Sequence, residues 1–138
     1  MARYLFDTDT CSYLMRGASP GLDARVATVP VDGVSMSVIT LAELRYGVAV
    51  SPRPDQDGRA LEALLRYVQV FDLPEAAAQH YTAIRADLRR RGAMIGANDL
   101  FIAAHARSLE LILVTNNTAE FGRVPGLEVE NWVEVADS

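Results

Sequence analysis

Apolar runs of strand length alternate with stretches of helical period along almost the whole chain, and this alternation constrains the fold more than any other feature. Arg3 to Asp7 (Arg-Tyr-Leu-Phe-Asp) reads as a buried strand, followed by a helix from Thr8 to Arg16 that Gly17 stops. Ser19-Pro20 carries the cap-then-proline signature of a helix start, and that helix runs to about Val29. Val34 to Ile39 is a second strand, and Thr40 caps a helix that ends near Gly47. Ser51 to Gly58, with its prolines, aspartates and glycine, reads as a loop. Arg59 to Tyr67 is helical, Val70 to Leu73 is a short strand, and Pro74 opens a long helix through Arg91. Asn98 to Ser108 is a further helix, with strands at Leu111 to Thr115 and Leu127 to Trp132. Such alternation predicts parallel βαβ units with helices on both sheet faces. The expected fold class is therefore α/β, a three-layer α/β/α sandwich around a mainly parallel sheet of four to five strands. In such sheets ligands bind beyond the carboxyl ends of the strands, so the residues that follow each strand carry the functional argument.

Four acids stand at such places: Asp7, Glu43, Asp99 and Glu120. Carboxylates brought close together disfavour joint ionisation, and a divalent cation relieves the repulsion. All-oxygen ligands suit Mg²⁺ or Mn²⁺. A metal-dependent enzyme acting on phosphate esters, RNA foremost, follows as the leading expectation.

Each acid also has a plainer reading. Asp7 directly follows a buried strand, and we expect it at the metal, with Thr8, Asp9 or Thr10 supplying the helix cap. Asp9 reads first as such a cap. Glu43, in Thr40-Leu41-Ala42-Glu43, matches the capping box, and a first-turn carboxylate also suits the helix dipole. Asp99 follows Asn98, a candidate cap, and heads a nearly all-apolar helix, so the acid is expected to be buried with it. Glu120 ends a polar run, Thr115 to Glu120, in which Asn and Thr are ordinary turn formers and Asn116 can bond a carboxylate or a water. His80 and His105 are read as surface or core polar contacts, and Trp132 and Cys11 as packing residues.

Charge narrows the alternatives. The net charge of −5 argues against a simple electrostatic nucleic-acid binder, although bound divalent cations would offset most of it. Part of the excess, Glu128, Glu130, Glu134 and Asp137, crowds the C-terminus. All 13 basic residues are arginine, which excludes any lysine nucleophile, Schiff base or phosphate-binding lysine. At 138 residues, half of them hydrophobic, the chain is read as one domain over 1–138. No apolar stretch approaches a bilayer span, Met1-Ala2-Arg3 shows no secretory pattern, and the single cysteine fits a reducing compartment. We therefore expect a cytoplasmic protein with no membrane role.

Several segments together resemble a known family. Leu5-Phe6-Asp7-Thr8-Asp9, Ile39 through Gly47, Ile95 through Ala106 and Leu113 through Phe121 are similar to PIN-domain ribonucleases, specifically the VapC-type toxins of toxin–antitoxin pairs. The C-terminal Val124-Pro125-Gly126-Leu127 and Glu130-Asn131-Trp132 fit the same pattern. The resemblance implies that Asp7, Glu43 and Asp99 form an acidic triad with Glu120 in a fourth place. Asp9 stands where asparagine is common. Asp7 and Asp99 would be the direct metal ligands, with Glu43 and Glu120 completing the shell or orienting a water. Asn116 and arginines such as Arg45, Arg85, Arg89, Arg90 and Arg91 would hold the RNA; at a helix end, Arg89 to Arg91 equally suit the dipole and solvent. The resemblance also implies a cognate antitoxin, promoter DNA bound only through it, a homodimer, and structured RNA such as tRNA as a target. Two alternatives stand beside it. Asp7-Thr8-Asp9 after a strand resembles the opening motif of haloacid-dehalogenase-type phosphatases, and a PIN fold can also serve as a catalytically idle binding module.

Overall fold

The computed structural model describes residues 2–133; Met1, Glu134 and Asp137, invoked above, lie outside them. Five short strands form one sheet: β1 (Tyr4–Phe6), β2 (Val34–Ser37), β3 (Gln69–Phe71), β4 (Ile112–Val114) and β5 (Val129–Glu130). Their order is β3-β2-β1-β4-β5, and every pairing is parallel. The chain builds outward from β1 through β2 to β3, then crosses to the other side of β1 for β4 and β5. The direction of winding reverses between β1 and β4, which is where an open parallel sheet forms its ligand crevice.

Among the described residues seven α-helices cover the sheet: α1 (Thr8–Arg16), α2 (Pro20–Ala27), α3 (Val38–Ala49), α4 (Pro54–Leu64), α5 (Ala77–Arg91), α6 (Ala97–Ser108) and α7 (Thr118–Phe121). Alternation along the strands separates two cores. Leu5 and Leu113 face one side and pack with Ile84, Leu88, Leu100, Ile102 and Phe121 from α5, α6 and α7. Tyr4, Phe6, Val34, Met36, Ile112 and Val114 face the other and pack with Cys11, Leu22, Leu61 and Leu64 from α1, α2 and α4. Trp132 closes this second core edge-on against Tyr4 and Phe6, with ring centroids 4.7 and 5.5 Å away. Each fully buried side chain of this size contributes roughly 1.5–3 kcal/mol, so the strands are held chiefly by the layers on either side. The expected three-layer α/β/α sandwich with a parallel sheet is the observed fold.

Several boundaries differ, and each has a local cause. α3 begins at Val38 because Ser37, not Thr40, caps it: Ile39 N donates to Ser37 Oγ at 3.1 Å. β2 stops at Ser37 for the same reason. The segment read as a loop, Ser51 to Gly58, is one only as far as Arg53; from Pro54 it is the start of α4, with Pro54 in the first turn and Asp55 and Asp57 favoured by the helix dipole. α5 starts at Ala77 rather than Pro74. α6 is capped by Gly96 rather than Asn98. The stops at Gly17 and Gly92 are where the sequence predicts them, both with φ in the left-handed region at 60° and 65°.

Candidate active site

Asp7 leaves the end of β1 directly beside the end of β4. It is 4 % exposed, and both of its oxygens are held: Thr10 N donates to Oδ1 at 2.8 Å, and Thr115 Oγ1 donates to Oδ2 at 2.5 Å. Asp7 is thus itself the N-cap of α1, contrary to the expectation that Thr8, Asp9 or Thr10 takes that role. Asp9 does not cap; it is an exposed acid in the first turn of α1. Burial raises the pKa of Asp7; the bonds from Thr115 and Thr10 offset part of the rise, and the Asp9 charge adds to it.

Glu43 lies in the second turn of α3, and its carboxylate does not reach back to Thr40 as a capping box requires. The Thr8 hydroxyl donates to Glu43 Oε1 at 2.6 Å, and its oxygen also lies 3.1 Å from Thr40 Oγ1. Glu120 lies in the first turn of α7, where Asn117 Nδ2 donates to its Oε2 at 2.8 Å. Asn117 N in turn donates to Thr115 Oγ1 at 2.9 Å, so one threonine hydroxyl joins the Asp7 and Glu120 sides. Asp99, in the first turn of α6, is half-buried, with its carboxylate against Gly96. Among the described residues no hydrogen bond holds it.

Three of the four acids meet in a crevice of about 280 Å³ lined by Asp7, Thr8, Asp9, Ser12, Glu43, Asp99, Asn117 and Phe121; Glu120 does not line it and stands behind Asn117. Burial, and then the charges of Asp7, Glu120 and Glu43 in that order, push the pKa of Asp99 up to about 6. Asp99 therefore feels three acids that come from separate stretches of sequence. Among the described residues no arginine forms an ion pair with any of them.

The donor set is all oxygen, anionic and without a protein cation, which fits a hard divalent ion such as Mg²⁺ or Mn²⁺. The side chains do not stand ready-closed around a point: among the described residues no three ligating groups are arranged to hold a metal.

The other expected site residues lie elsewhere. Arg45 projects outward, 3.7 Å from Glu62. Arg85 donates to Tyr81 Oη at 2.6 Å. Arg89, Arg90 and Arg91 occupy the last turn of α5, where Arg90 and Arg91 both meet Asp87. None of these arginines lines the crevice. Asn116 turns toward Tyr13 and Asn131, and its neighbour Asn117 lines the crevice instead. Sequence reasoning missed Thr8, Thr10, Thr115 and Asn117 as holders of the acids; their signal was immediate adjacency to the ends of β1 and β4. It also missed Arg16 and Arg53, which line a groove of about 540 Å³ that shares Thr8, Ser12 and Glu43 with the crevice.

Comparison with known proteins agrees with this arrangement. The PIN domain family profile matches residues 4–127. The tRNA(fMet)-specific endonuclease VapC of Shigella flexneri is 38% identical over 132 residues, covering 96% of this chain and 99% of that protein. Ribonuclease VapC2 of Haemophilus influenzae is 38% identical over 133 residues, covering 96% of this chain and 100% of that one. Among solved structures, DNA-bound VapBC from Salmonella typhimurium superposes with a TM-score of 0.90 at 36% identity, over 96% of this chain and 99% of that one. VapBC2 from Rickettsia felis, bound to a DNA fragment from its promoter, gives 0.88 at 34% identity, over 94% of this chain and 98% of that one. All of these lead away from the dehalogenase-type phosphatase. With a profile match across nearly its full length and relatives this similar end to end, the chain belongs to the PIN domain family, within its VapC group.

Proposed function

We propose that this chain is a divalent-cation-dependent endoribonuclease, acting in the cytoplasm as the toxin of a toxin–antitoxin pair, with residues 1–138 as one catalytic domain. The observation that carries the reading is the crevice at the β1/β4 switch point, where Asp7, Glu43 and Asp99 converge with no arginine to neutralise them, and where burial first and neighbouring carboxylates second raise the proton affinity of Asp99. Asp7 and Asp99 are the direct ligands, for Mg²⁺ first and Mn²⁺ as its substitute. When bound, such an ion supplies positive charge that polarises the scissile phosphate and acidifies water.

The protein's own groups do the rest. Thr115 and Thr10 fix Asp7 in one orientation. Thr8 occupies Oε1 of Glu43, which leaves Oε2 to accept a proton from an attacking water; Asn117 leaves Oε1 of Glu120 for the same use. Arg16 and Arg53, in the adjoining groove, take the RNA backbone beside the cut, a role first expected of Arg45 and Arg89. Asn116 lies one residue from the crevice wall, within reach of a bound nucleotide.

The partners follow from the relatives. The Salmonella and Rickettsia proteins are solved as VapBC complexes on DNA, so we assign this chain a cognate antitoxin that covers the acidic crevice with a basic side chain and carries the pair to promoter DNA. A homodimer belongs to the same reading. No helix among the described residues is long and apolar enough to cross a membrane. The Shigella relative is named for tRNA(fMet), which makes tRNA the first substrate to try.

Expression of wild type beside Asp7→Asn and Asp99→Asn tests the proposal. Growth arrest and RNA fragments are expected from wild type alone, with EDTA-sensitive cleavage of tRNA by the purified protein. Equal toxicity from all three chains would overturn it.

A further inference from the structure

His105 is wholly buried on α6, and one of its ring nitrogens, Nε2, is a buried polar atom with no partner among the described residues. Its other nitrogen, Nδ1, lies 2.7 Å from Ser37 Oγ. Ser37 is also wholly buried, and its Oγ already accepts the N–H of Ile39 as the cap of α3. The residues of β2 that alternate with the core residues Val34 and Met36 are Ser35 and Ser37, so α6 meets a strand face with two hydroxyls in place of apolar side chains.

Hydrogen-bond inventory fixes the direction of the contact. If Nδ1 carried the proton, the Ser37 hydroxyl would have no acceptor and Nε2 no donor, leaving two buried groups unmatched. If the Ser37 hydroxyl donates to Nδ1, only the Nε2 proton is unmatched. The second arrangement is the less costly. It makes His105 a neutral ring protonated on Nε2, and burial likewise favours the neutral form. A leucine would fill this volume and exchange one unmatched group for another, the Ser37 hydroxyl for the Nε2 proton, so the histidine gains nothing in polar matching. Packing alone therefore does not account for a histidine here.

Location supplies a reason. Ser37 opens α3, which carries Glu43, and His105 belongs to α6, which carries Asp99. Among the described residues this is the one hydrogen bond that joins the β2–α3 segment to α6. We propose that Ser37 and His105 are a positioning pair: the buried hydroxyl–imidazole contact sets the start of the Glu43 helix against the Asp99 helix, and so sets the spacing of two acids that line the crevice. Neither residue lines the crevice or touches substrate. The proposal rests on the metal-site reading above.

The test is binding of Mn²⁺ alone, by calorimetry or by electron paramagnetic resonance, with no RNA present. His105→Leu removes the imidazole. Ser37→Gly removes the hydroxyl while keeping a residue that helix starts tolerate. Each is expected to weaken Mn²⁺ binding about tenfold, the order found when outer-shell partners of a metal site are lost. The double variant should be no weaker than either single one, because both remove the same contact. His105→Asn, whose amide oxygen can accept from Ser37, should recover most of the affinity, while the metal-free His105→Leu protein should melt no lower than wild type. A His105→Leu protein that is folded and binds Mn²⁺ like wild type overturns the pair alone. A wild type that binds no Mn²⁺ overturns the metal reading, and the pair with it. Should His105→Leu not fold, Ser37→Gly against His105→Asn gives the same contrast, and equal affinities there overturn the pair.

Discussion

The two walls of the crevice are built on different plans. At the strand ends, Asp7 is buried and clamped, with one oxygen held by the α1 backbone and the other by Thr115 from β4. At the α6 start, Asp99 is half-buried and held by no hydrogen bond among the described residues, so its energy is set by burial and by the three other acids. One wall is fixed before any ligand arrives, and the other stays adjustable. The difference teaches how an acidic site can be stable and still responsive. On the proposed metal reading, the fixed carboxylate would define where a cation sits, and the half-buried one would gain most from the cation's charge. A site clamped on both sides would have to hold its repulsion rigidly, while a site loose on both would order two side chains at each binding event.

The largest effect expected from this contrast is at Asp7. Asparagine caps helices about as well as aspartate, so Asp7→Asn keeps α1 while removing the charge and the acceptor that faces Thr115. RNA cleavage should fall by roughly three orders of magnitude, the scale on which single electrostatic groups act in catalysis, with melting temperature within a few degrees of wild type. Asp7→Ala should lose the same activity and also about 1 kcal/mol from the missing cap. If Asp7→Asn cleaves tRNA at the wild-type rate, the fixed wall is structural only. Next comes its clamp. Thr115→Val keeps the shape and deletes the bond to Oδ2, and Mn²⁺ affinity measured by calorimetry should drop by roughly 10–100-fold. An unchanged affinity would mean that the cap bond from Thr10 is enough to fix Asp7.

At the adjustable wall the expected sign is opposite for stability. The pKa of Asp99 is raised from its ordinary value of 3.8 to about 6. The folded state therefore holds its proton more tightly than the unfolded state does. The destabilisation this causes is complete above about pH 6, shrinks as the pH falls, and is gone below about pH 4. Asp99→Asn should then raise the melting temperature of the metal-free protein at pH 7.5, by an amount on the order of 1 kcal/mol once solvent screening is allowed for. The gap between variant and wild type should close by pH 4. Added Mn²⁺ should reverse the ranking, because only wild type gains from binding. A gap that stays constant from pH 4 to 8 in thermal melts would show that the repulsion does not act through Asp99.

How much of this was legible beforehand depended on whether the cause was local. α1 and its stop at Gly17 followed from the periodicity and one glycine. The sheet's parallel character followed from the alternation alone, and the position of Asp7 followed from its place after Tyr4-Leu5-Phe6. What stayed hidden depended on distant partners. Thr8 as the holder of Glu43 and Thr115 as the clamp across 108 positions are contacts between segments that no window of sequence contains, whereas Asp7 as the cap of α1 is a contact over three positions, masked by Thr8, Asp9 and Thr10, which are equally good cap residues. Pro54 was visible but ambiguous, because the same residue serves loops and first helical turns. His105 looked like an ordinary polar residue because nothing in its neighbours marks the serine face of β2 that it meets.

The arginines give the smallest effect, and it distinguishes the two sides of the α3–α4 surface. Arg45 is exposed and sits 3.7 Å from Glu62, itself exposed, a pair of the kind that contributes between nothing and about 1 kcal/mol. It does not line the groove that adjoins the crevice, whereas Arg16 and Arg53 do. Arg45→Ala should therefore shift the melting temperature by no more than a degree or two and change tRNA cleavage by less than about twofold, while Arg16→Ala and Arg53→Ala should each raise KM with kcat nearly unchanged, since they hold substrate and transition state alike. The salt dependence should follow the same split, because each arginine that meets a phosphate of single-stranded RNA adds about 0.7 to the slope of log affinity against log salt. If Arg45→Ala raises KM as much as Arg53→Ala does, the RNA crosses the outer face of α3 as well, and the groove is only part of its path.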